Sequence, residues 1–272
     1  MLALARFLSE LSYLQWLLVI SVFFLVVERV FPARREQKTM RSQLGNDIVF
    51  LLFNGHYYAV VTGGITTWLA FYVRDLFPDG AFDDALLSGA PGPLQFLVFF
   101  ILSDFMQWNV HVLLHRIPFL WQFHKIHHSP SQLDWAVNFR FHWVELVVYK
   151  SFLFVPLAFL GGDPQPLFVA YVVGTAWGHY NHANVRWRLG PLRFVFNSPS
   201  MHLWHHDASS EGGVAKNFGI VLSLWDWVFR TAFWPDRDPA RLGFPGDEEV
   251  PGDIVRQELF PLFRRKSPPP QP

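Results

Sequence analysis

Histidines are the residues of this sequence whose type and spacing point most clearly to chemistry. The chain has 12 of them, and all except His56 lie between positions 111 and 206. Residues three or four apart on a helix share one face, with Cβ atoms about 5–6 Å apart, so imidazoles at that spacing can aim at one point. The clustered histidines are His111 and His115; His124, His127 and His128; His179 and His182; and His202, His205 and His206. Two HxxHH motifs in this set indicate a metal-binding site.

The composition of the chain limits which metal site is possible. There is no cysteine, so thiolate sites, iron–sulfur clusters and disulfides are excluded. Imidazole suits iron, copper, nickel and zinc. A single tetrahedral zinc needs four ligands, and the clustered histidines are too many for one ion, which favours two. Because neutral imidazoles add no negative charge, two divalent ions would keep their positive charge, and activation of O2 follows as a chemical possibility.

The elements that must position these histidines are predicted to lie in a membrane. Of the 272 residues, 51% are hydrophobic and only 16% are charged, against about 25% charged in an ordinary soluble domain. Lysine plus arginine equals aspartate plus glutamate, at 22 each, so no basic excess suggests nucleic acid as a partner.

Four apolar segments are predicted, at residues 11–31, 47–73, 94–115 and 146–178. At 1.5 Å per residue, each of the first three can cross a hydrocarbon core of about 30 Å. The fourth is broken at 161–166 and predicts a hairpin that either crosses fully or is re-entrant. A signal peptide is the alternative for the first segment, but PARREQK after it offers no small-residue cleavage site.

Charge in the short loops predicts the orientation. Arg34, Arg35, Lys38 and Arg41 follow the first segment, which places that loop in the cytoplasm. The histidines then fall at the cytoplasmic ends of the later segments. The sequence therefore predicts an all-α integral membrane helical bundle, with about four transmembrane helices or hairpin segments and a cytoplasmic helical cap holding a histidine-rich dimetal site. Residues 1–272 form one membrane domain, with the catalytic region at 111–206 and a C-terminal tail at 236–272.

The residues around the histidines resemble a known family. The matching stretches are LHRIPFLWQFHKIHHSP, NSPSMHLWHHD and KNFGIVLSLWDWVF. They are similar to the motifs HRxPxLWxxHxxHHS, TPxxHxxHH and NYGxxxSxWDxxFGT of the fatty acid hydroxylase/sterol desaturase superfamily, whose members are integral-membrane di-iron oxygenases. FRTAF stands here where the family has FGT. His142, in RFHWVE, occupies the place of RxHPxE in bacterial-type members, where a supporting or structural role is the alternative to ligation.

The resemblance implies which histidines hold metal and take part in catalysis. They are His111, His115, His124, His127, His128, His182, His202, His205 and His206, with His179 as a further metal ligand. Asp104, Asp134 and Asp207 are candidates to accept hydrogen bonds from ligand imidazoles. The alternative is a helix-packing hydrogen bond for Asp104 and a solvated loop position for Asp134 and Asp207. Asp226 is expected to hold the cap together.

The implied activity is O2-dependent hydroxylation of a fatty acyl or sterol-like lipid from the bilayer, with desaturation as the alternative. The implied cofactors are two iron ions, with zinc possible in purified protein, and O2 is the co-substrate. No flavin, haem or nicotinamide motif is visible, so electrons are expected from a ferredoxin, rubredoxin or cytochrome b5 type protein. The expected location is the bacterial inner membrane, with the metal site on the cytoplasmic side.

A non-oxidative zinc membrane metalloprotein is the rival function. A lipid hydrolase would want a carboxylate base beside the metal, as in HExxH, and that motif does not occur. A metal carrier would place ligands near the bilayer midplane, whereas these histidines are predicted at the cytoplasmic ends. A catalytically inactive scaffold is disfavoured because every signature histidine is present.

Overall fold

The computed structural model describes residues 10–77, 85–187, 189–209 and 216–263, and all regular structure within these ranges is helical. Three isolated β-bridges join neighbouring segments there, without forming a strand. The predicted all-α class is therefore confirmed. Of the predicted C-terminal tail at 236–272, the part beyond 263 lies outside the described residues.

Ten α-helices are described, and we number them in chain order. They are α1 Tyr13–Val30, α2 Leu44–Leu52, α3 Tyr58–Arg74, α4 Gly92–Arg116, α5 Pro118–His124, α6 Trp143–Ala158, α7 Pro164–His182, α8 Pro199–His205, α9 Leu224–Val228 and α10 Ile254–Phe263. Single 3₁₀ turns cover Trp135–Phe139, Gly190–Phe194 and Asp247–Glu249.

Three helical stretches are long and apolar enough to cross a membrane. They are Tyr13–Val30, which is α1; Leu44–Ile65, which runs from α2 into α3; and Gly92–Arg116, which is α4. The outer face of α1 shows why lipid is its natural surroundings, since Val22, Phe23 and Val26 are each more than half exposed. These helices identify an integral membrane protein and correspond to the first three predicted segments. The fourth segment is the helix pair α6 and α7, of 16 and 19 residues. Whether that pair crosses fully remains a prediction.

A π-helical turn, Phe53–Tyr57, joins α2 to α3. It contacts the connection between the first HxxHH motif and α6. At Gly55 a Cβ atom would lie 2.9 Å from Leu17 Cδ2 of α1, so a larger residue would require the Leu17 side chain to move. The neighbouring Asn54 donates its amide to the carbonyls of Phe139 and Phe141 at 2.9 and 2.8 Å. The turn therefore fixes the connection that leads from the first HxxHH motif to α6.

Helix α4 runs through the centre and packs against α5, α6 and α7. One apolar core lies between α1, α7 and the Trp135–Phe139 turn, and it includes Leu17, Phe24 and Tyr180. A second apolar core joins α4 to the α6–α7 pair through Phe99 and Leu153. Both cores hold α7 against its neighbours, and α7 ends in His182.

Buried ion pairs tie the basic loop to the connection after the first HxxHH motif. Arg140 donates to Asp47 at 2.5 Å, and Arg41 bonds Asp134 at 2.6 Å and Asp47 at 2.5 Å. Asp47 and Arg140 are fully buried. A charge buried this deeply stays favourable only while its partners remain.

We expect Asp47→Ala to lower the free energy of unfolding by about 3–5 kcal/mol, because it leaves Arg140 buried without its carboxylate. Thermal unfolding of the detergent-purified protein measures this. The control is Asp238→Ala, which breaks the exposed Arg186–Asp238 pair and should change stability by less than about 1 kcal/mol. Equal effects of the two variants would contradict the assignment.

Candidate metal centre

The structure brings nine histidines into two groups, and within each group the candidate ligand atoms lie within 4.8 Å of one another. We call them the first and the second histidine group. The first group is His111, His115, His124, His128 and His205; the second group is His127, His182, His202 and His206. All nine side chains are buried. Two metal positions are therefore available, as the number of histidines suggested.

Each HxxHH motif contributes to both groups. In the motif after α5, His124 and His128 belong to the first group and His127 to the second. In the motif at α8, His202 and His206 belong to the second group and His205 to the first. The rings also meet across the boundary, with His128 stacked on His206 at a centroid distance of 4.4 Å. The two groups therefore form one continuous centre.

Local sequence signals place each contributing element. Helix α8 begins at Pro199, in the first helical position where a missing N–H does no harm, and the Ser198 hydroxyl accepts from Met201 N at 3.4 Å. Helix α5 also begins at a proline, Pro118, but without a side-chain cap. The two HxxHH motifs thus start on helices whose N-termini are defined by their own residues.

Hydrogen bonds donated by Nδ1 fix the orientation of four of the rings. His111 donates to the Phe218 carbonyl, His205 to the Lys216 carbonyl and His182 to the Gly178 carbonyl, each at 2.8 Å. His124 bonds Glu145 Oε1, also at 2.8 Å. A carbonyl or carboxylate only accepts, so Nδ1 carries the proton, and in a neutral imidazole Nε2 is then a bare lone pair.

The bare Nε2 atoms converge, which is the arrangement that a cation requires. His111 Nε2 and His124 Nε2 are 3.2 Å apart, and neither has a proton to share. In the second group, His202 Nε2 is 3.0 Å from His182 Nε2. A tetrahedral ion with metal–nitrogen bonds of about 2.0–2.1 Å has nitrogen–nitrogen separations of about 3.3 Å. The residues therefore fit bound metal ions.

Two further nitrogens support this fit. Nε2 of His115 and Nε2 of His205 are buried and have no hydrogen-bond partner. A buried polar atom left in this way is costly unless something else satisfies it. A metal ion in the first histidine group would do so for both.

The charge state of the rings also suits metal binding. Burial, reinforced by the neighbouring histidines, lowers the pKa of His202, His205 and His206 well below its usual value. These imidazoles are therefore neutral at neutral pH. Neutral imidazole is the form that binds metal.

His179 lies outside both groups, although the sequence pattern included it. Its Nε2 bonds Ser21 Oγ at 3.1 Å, and its Nδ1 faces the Thr175 carbonyl and the Asn138 amide, each at 3.0 Å. Both ring nitrogens are thus engaged by the helix packing around α1 and α7. The structure gives His179 a place in the core, three residues before the convergent His182.

His142 is also apart from the two groups, in agreement with the structural alternative. Its Nε2 contacts the Glu258 carbonyl of α10 at 2.6 Å, and its Nδ1 accepts from Val144 N at 3.1 Å. The residue therefore holds the C-terminal helix against the start of α6.

The buried aspartates organise the cap, and none of them bonds a ligand imidazole among the described contacts. Asp104 accepts from Val221 N, Leu222 N and Trp225 Nε1 at 2.8–3.1 Å. Asp226 accepts from Phe218 N and Gly219 N at 2.9 and 2.8 Å, and the carbonyl of the same Phe218 orients His111. Asp226 thus holds the cap together as expected, and Asp104 fits the helix-packing alternative.

Asp134 and Asp207 have basic partners. Asp134 pairs with Arg41 at 2.6 Å, and Asp207 with Lys216 at 3.0 Å. In the described contacts both carboxylates are held in buried ion pairs, which neither the predicted bond to an imidazole nor the alternative of a solvated loop residue describes.

Glu145 is the site residue that sequence analysis missed. It lies on α6, is fully buried and accepts from His124 Nδ1. A carboxylate that holds the far nitrogen of a ligand imidazole fixes its tautomer and raises its basicity. The available signal was the final glutamate of RFHWVE, which stands where the motif RxHPxE has its own glutamate.

This combination of apolar helices and two adjacent all-histidine groups is that of a helical membrane protein whose buried imidazoles could hold metal ions. Residues 96–231, half of the chain, match the family described as fatty acid hydroxylase. The chain belongs to that family, and the predicted superfamily is confirmed.

The chain is also similar to individual proteins of related function. It is 28% identical to ornithine lipid hydroxylase of Rhizobium tropici, over 93% of this chain and 75% of that protein. It is 30% identical to alkylglycerol monooxygenase of Caenorhabditis elegans and 23% identical to methylsterol monooxygenase 1-3 of Arabidopsis thaliana, over 62% and 53% of this chain. It spans about a third and about half of those two proteins. No solved structure matches. These names support the predicted class of membrane lipid hydroxylase.

We expect Glu145→Gln to weaken metal binding in the first histidine group about 10–100-fold, because His124 loses the carboxylate that fixes it. Titration with a metal chelator, followed by metal analysis of the protein, measures this. The control is Glu258→Gln, which changes a carboxylate bonded to Trp143 N and should keep both metals. Unchanged chelator resistance in Glu145→Gln would refute this role.

Proposed function

We propose that this protein is an O2-dependent di-iron hydroxylase of membrane lipids, with the nine histidines of the two groups as its metal ligands. The observation that carries the proposal is the meeting of two all-imidazole groups across one boundary, at His128 and His206. Two iron ions bound there would supply the oxidising chemistry that an unactivated C–H bond needs and that amino-acid side chains lack.

The composition of the groups favours oxidation over zinc-dependent hydrolysis. In the described parts of the chain neither group includes a carboxylate. A metallohydrolase needs a general base within hydrogen-bond reach of the attacking water. Glu145 already accepts a hydrogen bond from His124. Asp104 and Asp226 accept hydrogen bonds from backbone N–H groups of the cap. No base is therefore placed for hydrolysis among these residues.

The burial of the ligands disfavours a metal carrier. The nine side chains are at most 9% exposed, and they come from α4, α5, α7, α8 and the residues that follow α5 and α8. A carrier has to release its ion by moving its ligands. Here that would require four packed elements to separate, so a resident cofactor fits better.

The side chains of this protein would bind the metal ions and keep water away from them. Buried imidazoles stay neutral and oriented, while Phe141 stacks on His127 at 5.0 Å and covers one side of the second group. The substrate we propose is a fatty acyl or sterol-like lipid that enters from the bilayer, and hydroxylation is the expected outcome. The relatives are named for an ornithine lipid, an alkylglycerol and a methylsterol, which supports a lipid in general.

We propose a cytoplasmic site in a bacterial inner membrane and an external electron donor of the ferredoxin, rubredoxin or cytochrome b5 type. Support for the orientation comes from the basic loop that follows α1. Arg34 donates to the Leu133 carbonyl at 3.4 Å and Arg41 pairs with Asp134. The loop predicted to be cytoplasmic thus packs against the connection that leads away from the first HxxHH motif.

The test is turnover by the iron-loaded protein with a chemically reduced ferredoxin and a panel of bilayer lipids. We expect O2 consumption coupled to a product heavier by one oxygen atom in lipid mass spectrometry. Loss of two hydrogens would identify the desaturase alternative. His127→Ala should lose metal and activity because the second group loses one ligand. A protein that holds two irons yet consumes no O2 with any lipid would refute the proposal.

A further inference from the structure

A cavity of about 140 Å³ lies between α4, α6, α7 and the connection at 138–141. Most of its wall is apolar, and Leu146, Leu153 and Leu167 are among the lining residues. An apolar cavity of about 150 Å³ holds a molecule the size of benzene, which has about six heavy atoms. This cavity can therefore hold a short section of a lipid, such as a linkage with its nearest carbons.

The cavity adjoins the second histidine group. Phe141 lines the cavity, and its ring stacks on His127 at a centroid distance of 5.0 Å. Gly178 also lines it, and the Gly178 carbonyl accepts a hydrogen bond from His182 at 2.8 Å. A group bound in the cavity would thus lie beside residues that touch two of the candidate metal ligands.

Tyr149, on α6, brings a hydroxyl group to this apolar wall. Its ring centroid lies 6.3 Å from that of Phe141, the residue that stacks on His127. Within the described residues, the Tyr149 hydroxyl has no hydrogen-bond partner. A polar group shielded from water is costly to leave without a partner. Since a phenol O–H can donate to an oxygen acceptor, this hydroxyl is available to a ligand.

Helix α4 adds polar groups to the same cavity, at Ser103 and Gln107. They are four residues apart and His111 follows four residues later, so all three lie on one face of the helix. Gln107 donates to the Ser103 carbonyl at 3.3 Å. The described contacts give no donor to the side-chain oxygen of Gln107, which can accept an N–H. About 6 Å of helix rise separates Gln107 from His111.

The remaining polar side chains of the described lining each hydrogen-bond a group of the protein. They are Asn54, Asn138, Thr175, Lys150 and Tyr171. No carboxylate lines the cavity in the described parts of the chain. The groups that are available to a ligand on α4 and α6 are therefore uncharged, and they include a hydroxyl donor and an amide oxygen acceptor.

The arrangement along α6 indicates where such a ligand carries its polar atoms. Leu146 and Leu153 line the cavity three residues before and four residues after Tyr149, so they lie on the same face of the helix. A polar group held at Tyr149 is thus flanked by apolar wall on both sides. This fits a linkage within an apolar molecule better than the terminal hydroxyl of an alcohol.

We propose that this cavity binds the carbonyl linkage of an acyl lipid, an ester or an amide, with the Tyr149 hydroxyl donating to the carbonyl oxygen. Where the linkage is an amide, Gln107 accepts its N–H. The inference rests on the proposed function, since the ligand is the lipid that the metal centre oxidises. It narrows the substrate to lipids whose chain is joined through a carbonyl group, and it excludes ether lipids and free sterols as preferred ligands.

The test compares four uncharged ligands with chains of the same length: N-methylhexadecanamide, methyl hexadecanoate, hexadecyl methyl ether and hexadecanol. Equilibrium binding of each radiolabelled ligand to the iron-loaded protein is measured without O2 in an uncharged detergent. We expect the amide or the ester to bind about fivefold or more tightly than the ether and the alcohol, because one further hydrogen bond forms. Tyr149→Phe removes only the hydroxyl and should abolish that preference.

The control is Tyr57→Phe, which makes the same change at an exposed residue of the turn before α3 and should keep the preference. An ether or alcohol that binds as tightly as both carbonyl ligands overturns the proposal in the unmodified protein, without any variant. A preference that survives in Tyr149→Phe also overturns it.

The two carbonyl ligands separate the possible sources of the linkage. Tighter binding of the amide indicates an amide-linked lipid and tighter binding of the ester an ester-linked lipid; both support the site. Gln107→Met should weaken binding of the amide and leave that of the ester unchanged, because only the amide has an N–H to donate. Equal losses for the two ligands would overturn the role of Gln107.

Binding and turnover fail separately in this design. The preference for a carbonyl linkage needs no O2 and no electrons. A protein that shows this preference but never oxidises a lipid would refute the proposed function and leave the binding site standing. A protein that oxidises lipids without preferring a carbonyl linkage would do the reverse.

Discussion

The central constraint on this structure is electrostatic: unprotonated Nε2 atoms of buried histidines point their lone pairs at one another. Three carbonyls and one carboxylate accept hydrogen bonds from Nδ1 of His111, His205, His182 and His124. The unprotonated Nε2 atoms are thereby directed inward. At the 3.2 Å separation of His111 Nε2 and His124 Nε2, neutral imidazoles in this state cannot form a hydrogen bond with each other. Bound metal ions would remove that conflict, and the burial that keeps the rings neutral keeps them available as ligands.

Much of the fold positions the groups that accept hydrogen bonds from these Nδ1 atoms. Asp226 holds the backbone at Phe218, which orients His111, and Asp104 holds the adjacent backbone at Val221 against α4. Glu145 reaches His124 from α6. The membrane helices thus act on the metal centre through a layer of hydrogen bonds, and this layer links the cap to the bundle.

The sequence predicted the parts of this arrangement that depend on local spacing and hydropathy. The three long helices follow from apolar length, and the break at 161–166 separates α6 from α7 as expected. It could not predict that each HxxHH motif divides its histidines between two groups, because that depends on how α5 and α8 face each other. His179 and His182 have the same local pattern. Only the packing of His179 against Ser21 and Asn138 keeps it out of the two histidine groups. Glu145 matches the glutamate of RxHPxE, but its bond to His124 depends on how α6 packs against α5, which the sequence does not show.

The most direct measurement is the location of the metals by anomalous scattering at the iron edge, in a crystal of the iron-loaded protein. Two adjacent peaks are expected, one ringed by His111, His115, His124, His128 and His205 and the other by His127, His182, His202 and His206, with His179 touching neither. A single peak, or a peak coordinated by His179, would contradict the account.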